Sequence, residues 1–148
     1  NPRFLFVCAQ AFINAGDGAA STKILDELAG KKINKAFIEK ARGDLSLYEG
    51  QFAAAAAHYE EALRDNSADR SIYSALGKVY FLMGELEKAR VVLEEHLIIS
   101  NETIDDMMVL ADVYSGLNLH ADAQRMYEKV LEYDLFNEKA RAFLRSKK

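Results

Sequence analysis

A single repeat period runs through this chain and restricts its fold more than any one residue does. The clearest copy is residues 70–103, with Tyr73, Leu76, Gly77 and Tyr80, a break at Gly84, then Ala89 and Leu93. One step of 34 forward, Leu76, Tyr80, Ala89 and Leu93 become Leu110, Tyr114, Ala123 and Tyr127. One step back, Gly77, Gly84, Ala89 and Leu93 become Gly43, Gly50, Ala55 and Tyr59. A further step back finds Phe12, Gly16, Ser21 and Leu25. A period kept over four copies is the mark of stacked structural repeats, each too small to bury a core alone.

Within each copy the apolar spacing is helical. Asn1-Pro2 suits a helix start, and residues 3–15 place Leu5, Cys8, Ala9 and Phe12 on one stripe. Gly16-Asp17-Gly18 breaks that helix, and residues 19–30 form its partner around Ile24, Leu25 and Leu28, with Gly30 as a stop signal. The next copy pairs a helix carrying Phe37, Ile38, Ala41, Leu45 and Leu47 with one built on the alanine run 53–57, flanked by Phe52, Tyr59 and Leu63. That run suits a face on which a neighbour packs closely. Asp65-Asn66-Ser67 reads as a polar turn.

The later helices are predicted near 70–83, 86–99, 103–116 and 120–133. Asn118 stands where the earlier copies have Gly, and Asn also tolerates a left-handed backbone. Residues 138–147 read as a final amphipathic helix, with Ala140, Phe143 and Leu144 inward and Lys139, Arg141, Arg145 and Lys147 toward water. The expected fold is all-α: a right-handed α-solenoid of four units, 2–35, 36–69, 70–103 and 104–137, capped by that helix in a single domain 1–148.

Composition excludes some partners. Net charge is −4 and the pI about 5.4, which argues against nonspecific nucleic-acid binding. No apolar run approaches the roughly 20 residues that cross a bilayer, so no membrane insertion by this fragment is expected. The first residue is Asn, so a piece of a longer protein is expected; one cysteine fixes no compartment, and a cytoplasmic setting is favoured.

These positions resemble the tetratricopeptide repeat, a helix–turn–helix unit of roughly 34 residues. Its pattern asks for a large residue, Leu-Gly, Tyr, Gly, Ala, an aromatic, Ala and Pro. The third copy supplies Tyr73, Leu76, Gly77, Tyr80, Gly84, Ala89 and Leu93; the second supplies Gly43, Gly50, Ala55, Tyr59 and Ala62; the fourth supplies Leu110, Ala111, Tyr114, Ala123 and Tyr127. The departures are Ile33, Ser67, Asn101 and Leu135 in place of the closing Pro, Glu39 where a large apolar residue is usual, and Cys8-Ala9 and Ser21 in the first copy. The spacing sets small residues Gly43, Gly77 and Ala111 against Ala55, Ala89 and Ala123 of the partner helix.

The resemblance implies a concave groove lined by the first helix of each repeat. Carried over by register, the candidate peptide-binding residues are Phe6, Gln10 and Ile13, with Arg3 and Asn14, in the first repeat. They are Phe37, Lys40, Asp44, Leu47 and Tyr48 in the second, Ser74, Lys78 and Phe81 in the third, and Asp105, Met108 and Asp112 in the fourth. The implied ligand is a protein or peptide with apolar or aromatic anchors near the first half, and a basic group near Asp105 and Asp112. Some members hold a chaperone C-terminal carboxylate with Lys, Asn, Asn, Lys and Arg. Here those places hold Lys40, Asp44, Ala75, Asp105 and Val109, or one repeat earlier Phe6, Gln10, Ala41, Ser71 and Ala75, so neither register makes a cationic cradle.

No catalytic constellation or cofactor motif is present. His58, His96 and His120 lack metal-ligand spacing and read as solvent-edge or packing residues. Cys8 reads as a packed thiol, Gly16-Asp17-Gly18 as a hairpin turn and Asn101-Glu102-Thr103 as a helix cap. The expected function is a non-enzymatic adaptor or assembly scaffold. The alternative is self-association, as a homodimer, through the N-terminal repeat or the convex face, with Phe4, Phe6 or Phe12 exposed.

Overall fold

Asparagine and aspartate side chains open several helices of this protein, and left-handed residues close the first helix of every repeat. The computed structural model describes residues 1–31, 34–65, 69–99 and 103–146. Among these residues there are nine α-helices and no strand: α1 (Pro2–Ala15), α2 (Gly18–Ala29), α3 (Lys35–Tyr48), α4 (Phe52–Asp65), α5 (Arg70–Leu82), α6 (Leu86–Ile99), α7 (Ile104–Gly116), α8 (His120–Tyr133) and α9 (Glu138–Ser146). The expected boundaries hold to within one or two residues. Ile33, Asn66, Ser67, Asn101, Glu102 and Lys147, singled out in the sequence, lie outside the described residues.

Local chemistry sets these ends. Asn1, Asp17 and Asn34 each accept a backbone N–H of the helix that follows, from Arg3, Ala20 and Ala36, all at 3.0 Å. Thr103 caps α7 by accepting the Asp106 N–H. At the other ends, Gly16, Gly50, Gly84 and Asn118 have φ of 79°, 74°, 76° and 59°. These four are equivalent positions of successive repeats, and the asparagine fills the left-handed position as its residue type suggests. The chain then folds back: the N–H groups of Asp17, Gln51, Glu85 and Leu119 reach the carbonyls of Phe12, Ser46, Tyr80 and Tyr114 at 2.8–2.9 Å. This closure satisfies helix-end carbonyls and starts an antiparallel partner within two or three residues.

The chain forms two compact units, Asn1–Val79 and Tyr80–Lys148, with the division inside α5. In the first, α1 packs on α2 and α3, α2 on α3, and α3 on α4. Its buried apolar residues include Ala9, Leu25 and Ala41, which pack as one cluster. In the second, α6 packs on α7, α7 on α8 and α8 on α9. There Met107, Ala111, Ala123, Tyr127, Val130 and Ala140 form the core, with Phe143 and Leu144 against it, so α9 buries the face expected of it.

Two expectations need correction. The inward stripe of α1 runs through Ala9 and Ile13 rather than Phe12: Ile13 is 3% exposed and Phe12 37%. Ile13 sits one helical turn beyond Ala9, on the face that meets Leu25 and Ala41, so it is core and not groove. The nearest neighbour of Gly43 is the Tyr59 ring rather than Ala55; a Cβ on Gly43 would fall 2.6 Å from that ring. The missing side chain makes room for an aromatic within its own hairpin.

Candidate functional site

In the first compact unit, α1 and α3 present a mostly apolar surface. The rings of Phe6 and Phe37 meet edge to face with centroids 5.7 Å apart. They border a pocket of about 490 Å³ lined also by Arg3, Val7, Leu28, Asn34 and Ile38. Phe37 keeps 46% of its surface exposed although it packs against Phe6. Gln10, on α1 with Phe6, is half-buried.

The charges around this surface are unevenly satisfied. Lys31 pairs with Glu27, Lys35 with Glu61, and Lys40 with Asp44 at 3.1 Å. Arg42 donates to Asp26 and Glu39. Arg3, at the pocket wall, makes no ion pair among the described residues. The hydrogen bond and charge of Lys31 hold the Glu27 carboxyl below its ordinary range; Lys35 does the same for Glu61. Among the described residues that line the pocket, Arg3 is the cation without an ion pair.

Glu39, at an ordinarily apolar position, is 8% exposed. Its two oxygens take Arg42 Nη1 at 3.0 Å and stand 2.8 Å from His58 Nδ1, while Arg42 Nη2 reaches Asp26 at 3.1 Å. A polar chain thus ties α2, α3 and α4 together where a contact between apolar residues was expected. His58 belongs to that chain.

Further along, Leu47 is half-buried and Tyr48 is 59% exposed, its hydroxyl lying over the turn at Gly16. Ser74 and Lys78 are half-buried on α5. Asp44 is not a free groove acid, because it accepts the Tyr59 hydroxyl at 2.7 Å as well as Lys40. Burial and the Asp44 carboxylate push the Tyr59 phenol far above its ordinary range, so it stays a hydrogen-bond donor.

In the second unit Phe81 and Met108 are half-buried and Asp105 is exposed. Asp112 accepts both the Tyr127 hydroxyl and Lys139. The acidic end suggested by Asp105 and Asp112 therefore reduces to Asp105. Tyr114 donates to Glu94 at 2.9 Å, and burial first, then its carboxylate partner, raises both Tyr114 and Tyr127. The sequence reading missed a buried pair, His96 with Asp106, 3.0 Å apart, whose Oδ2 also accepts the Thr103 hydroxyl. The capping spacing Thr103-x-x-Asp106 was the available signal.

Among the described residues no cluster of three or more His, Cys, Asp or Glu could hold a metal ion, and no helix is long and apolar enough to cross a membrane. Cys8 is half-buried.

Known proteins place this geometry. No curated protein matches the sequence. Among solved structures the chain is similar to the MamA protein, at 22% identity and TM-score 0.80, over 94% of this chain and 81% of that one. It is similar to TTC0263, a thermophilic TPR protein of Thermus thermophilus, at 20% identity and TM-score 0.74, over 99% and 80% of the two chains. It is also similar to the first TPR of Spaghetti (RPAP3) bound to the HSP90 peptide SRMEEVD, at 19% identity and TM-score 0.69, over 76% and 89%. At these identities the likeness is one of fold, an α-solenoid of helix–turn–helix repeats. Models of the tetratricopeptide repeat match residues 46–102 and 107–137, together more than half of the chain. With a left-handed closure recurring once in every repeat, this makes the chain a member of the tetratricopeptide repeat family.

Proposed function

We propose that the chain is a non-enzymatic interaction module which holds a peptide or protein segment against its first helices, as an adaptor or assembly scaffold. The observation that carries this is the apolar pocket at Phe6 and Phe37, whose volume of about 490 Å³ lies in the range of ligand sites. The binding residues proposed in the first compact unit are Phe6, Gln10, Phe37, Lys40, Asp44, Leu47, Tyr48, Ser74 and Lys78. Those in the second are Phe81, Asp105 and Met108, while Asp112, taken by Tyr127 and Lys139, shapes the surface without offering a free charge. Phe37 and Tyr48 supply exposed aromatic area, the commonest source of binding energy at such surfaces. Lys40 and Asp44 neutralise each other and so set register more than affinity.

The Spaghetti domain was solved with an acidic HSP90 peptide. A peptide of that kind suits this chain poorly, since Lys40, at a clamp position, is already paired. Selection from a random phage-displayed peptide library tests the reading. Enriched peptides should carry aromatic or aliphatic anchors, and Phe37→Ala and Tyr48→Ala should each weaken them about tenfold. Equal binding by both variants would move the site off this surface. A second reading, self-association through the N-terminal repeat, is favoured by the exposure of Phe4 and Val7 on α1.

A further inference from the structure

We propose that the pocket on α1–α3 receives the α8–α9 turn of a second copy of this chain. The inference rests on reading that pocket as a binding site, and adds its occupant.

The turn carries what the pocket lacks. Leu135 is 71% and Phe136 80% exposed, next to the exposed Tyr133, in a connection where nothing described covers them. Two large apolar side chains side by side on a turn are costly to leave in water. The turn is also held in one shape. Asp134 Oδ1 accepts the Phe136 N–H at 3.1 Å, the Asn137 N–H donates to the Asp134 carbonyl at 3.1 Å, and Asn137 caps α9 by accepting the Ala140 N–H at 3.1 Å. A turn fixed this way loses little conformational freedom on docking.

Charge agrees with shape. Glu132, in the last turn of α8, is exposed and has no ion pair among the described residues; Arg3 at the pocket is its counterpart. An apolar knob flanked by an anion thus meets an apolar socket flanked by a cation. Knob and socket are different surfaces, so the contact is head-to-tail and each copy offers both halves. The contact is small, so the association is weak.

Sedimentation velocity from about 5 μM to about 1 mM, the range of weak complexes, reads the outcome. The wild-type average mass should rise with concentration. Phe136→Ser and the socket variant Arg3→Glu/Val7→Asp, all at exposed positions, should each remain at the mass of one chain with unchanged circular dichroism. Their equimolar mixture should form a 1:1 complex, because each retains the half that the other lost. A wild type that stays monomeric throughout overturns the proposal, as does association that survives Phe136→Ser or a mixture that fails to pair. Phe136→Ser keeps the socket and should still bind library peptides; a wild type that stays monomeric while such peptides bind it and are weakened by Phe37→Ala would leave the pocket reading standing and overturn this inference alone. A wild type that neither associates nor binds them would remove the pocket reading itself.

Discussion

The Tyr59 hydroxyl donates to Asp44 Oδ1, 2.7 Å away, and two repeats further on Tyr127 donates to Asp112 in the same way. Each bond ties the second helix of a hairpin to its first. The third repeat has Lys78 and Leu93 at these places, so neither partner is present there. Two of the acids that register assigns to the groove are therefore structural acceptors. Their negative charge is spent on a phenol and a lysine: Lys40 for Asp44, Lys139 for Asp112.

These phenols give the protein an alkaline limit. Burial raises Tyr59 and Tyr127 well above their ordinary range, so the folded chain keeps protons that the unfolded chain releases. A raised pKa contributes stability that is complete below the unfolded value, about 10, and is lost as pH rises beyond it. Each retained proton is worth about 1.4 kcal/mol per pH unit in that window. Urea melts should be level to about pH 9 and fall steeply above about 10. Tyr59→Phe should cost about 1 kcal/mol at pH 8 and flatten the alkaline fall. An unchanged slope would show that the phenol is not protected.

Gly43 and Gly50 separate two reasons for glycine. At Gly43 a Cβ would lie 2.6 Å from a buried ring that Asp44 holds in place. Gly43→Ala should cost about 1–3 kcal/mol by overpacking, and Tyr59→Leu in the same chain should relieve much of that. At Gly50 a Cβ would meet none of the described residues within 4 Å, but φ is +74°. Gly50→Ala should cost about 1–2 kcal/mol with no dependence on Tyr59, and Gly50→Asn less. Melting temperatures would record either loss at about 2–4 °C per kcal/mol.

Asp106 holds the start of α7 from inside. It meets His96 of α6 and the Thr103 hydroxyl, and it is 2% exposed. Asp106→Ala leaves two donors short of an acceptor and should cost about 2–3 kcal/mol. Asp106→Asn keeps an acceptor and should cost less. Amide exchange in the first turn of α7 should quicken in both, more in the alanine variant.

How much of this was legible depended on range. Gly16, Gly50, Gly84 and Asn118 announce helix ends through their own backbone preferences, so the hairpins and nearly every boundary could be read. Which way α1 turns about its axis could not. Phe12 and Ile13 are adjacent and both apolar, and only packing within the fold decides that Ile13, one turn beyond Ala9, is the buried one. Pairings between the two helices of a hairpin, such as Tyr59 with Asp44, consumed charges that register alone left free. The exposed turn at Leu135 and Phe136 was invisible because period predicts where helices stop, not what their connections leave in water.

Ser21 offers a test of how well the divergent first repeat is packed. It stands where the other repeats have Ala55, Ala89 and Ala123, and like them it is completely buried. Its hydroxyl finds no hydrogen-bond partner among the described residues, although the neighbouring Thr22 hydroxyl bonds back to the Gly18 carbonyl. A buried hydroxyl without a partner forfeits its hydration and gains nothing in return, a cost of about 1–3 kcal/mol. Alanine removes that atom, fits the space used in the other three repeats, and has the higher helix propensity. Ser21→Ala should therefore stabilise the protein by about 1 kcal/mol or more, raising the urea midpoint at constant m-value. Destabilisation would mean that the hydroxyl has a partner after all, and that the first repeat uses serine where its neighbours need only a small apolar group.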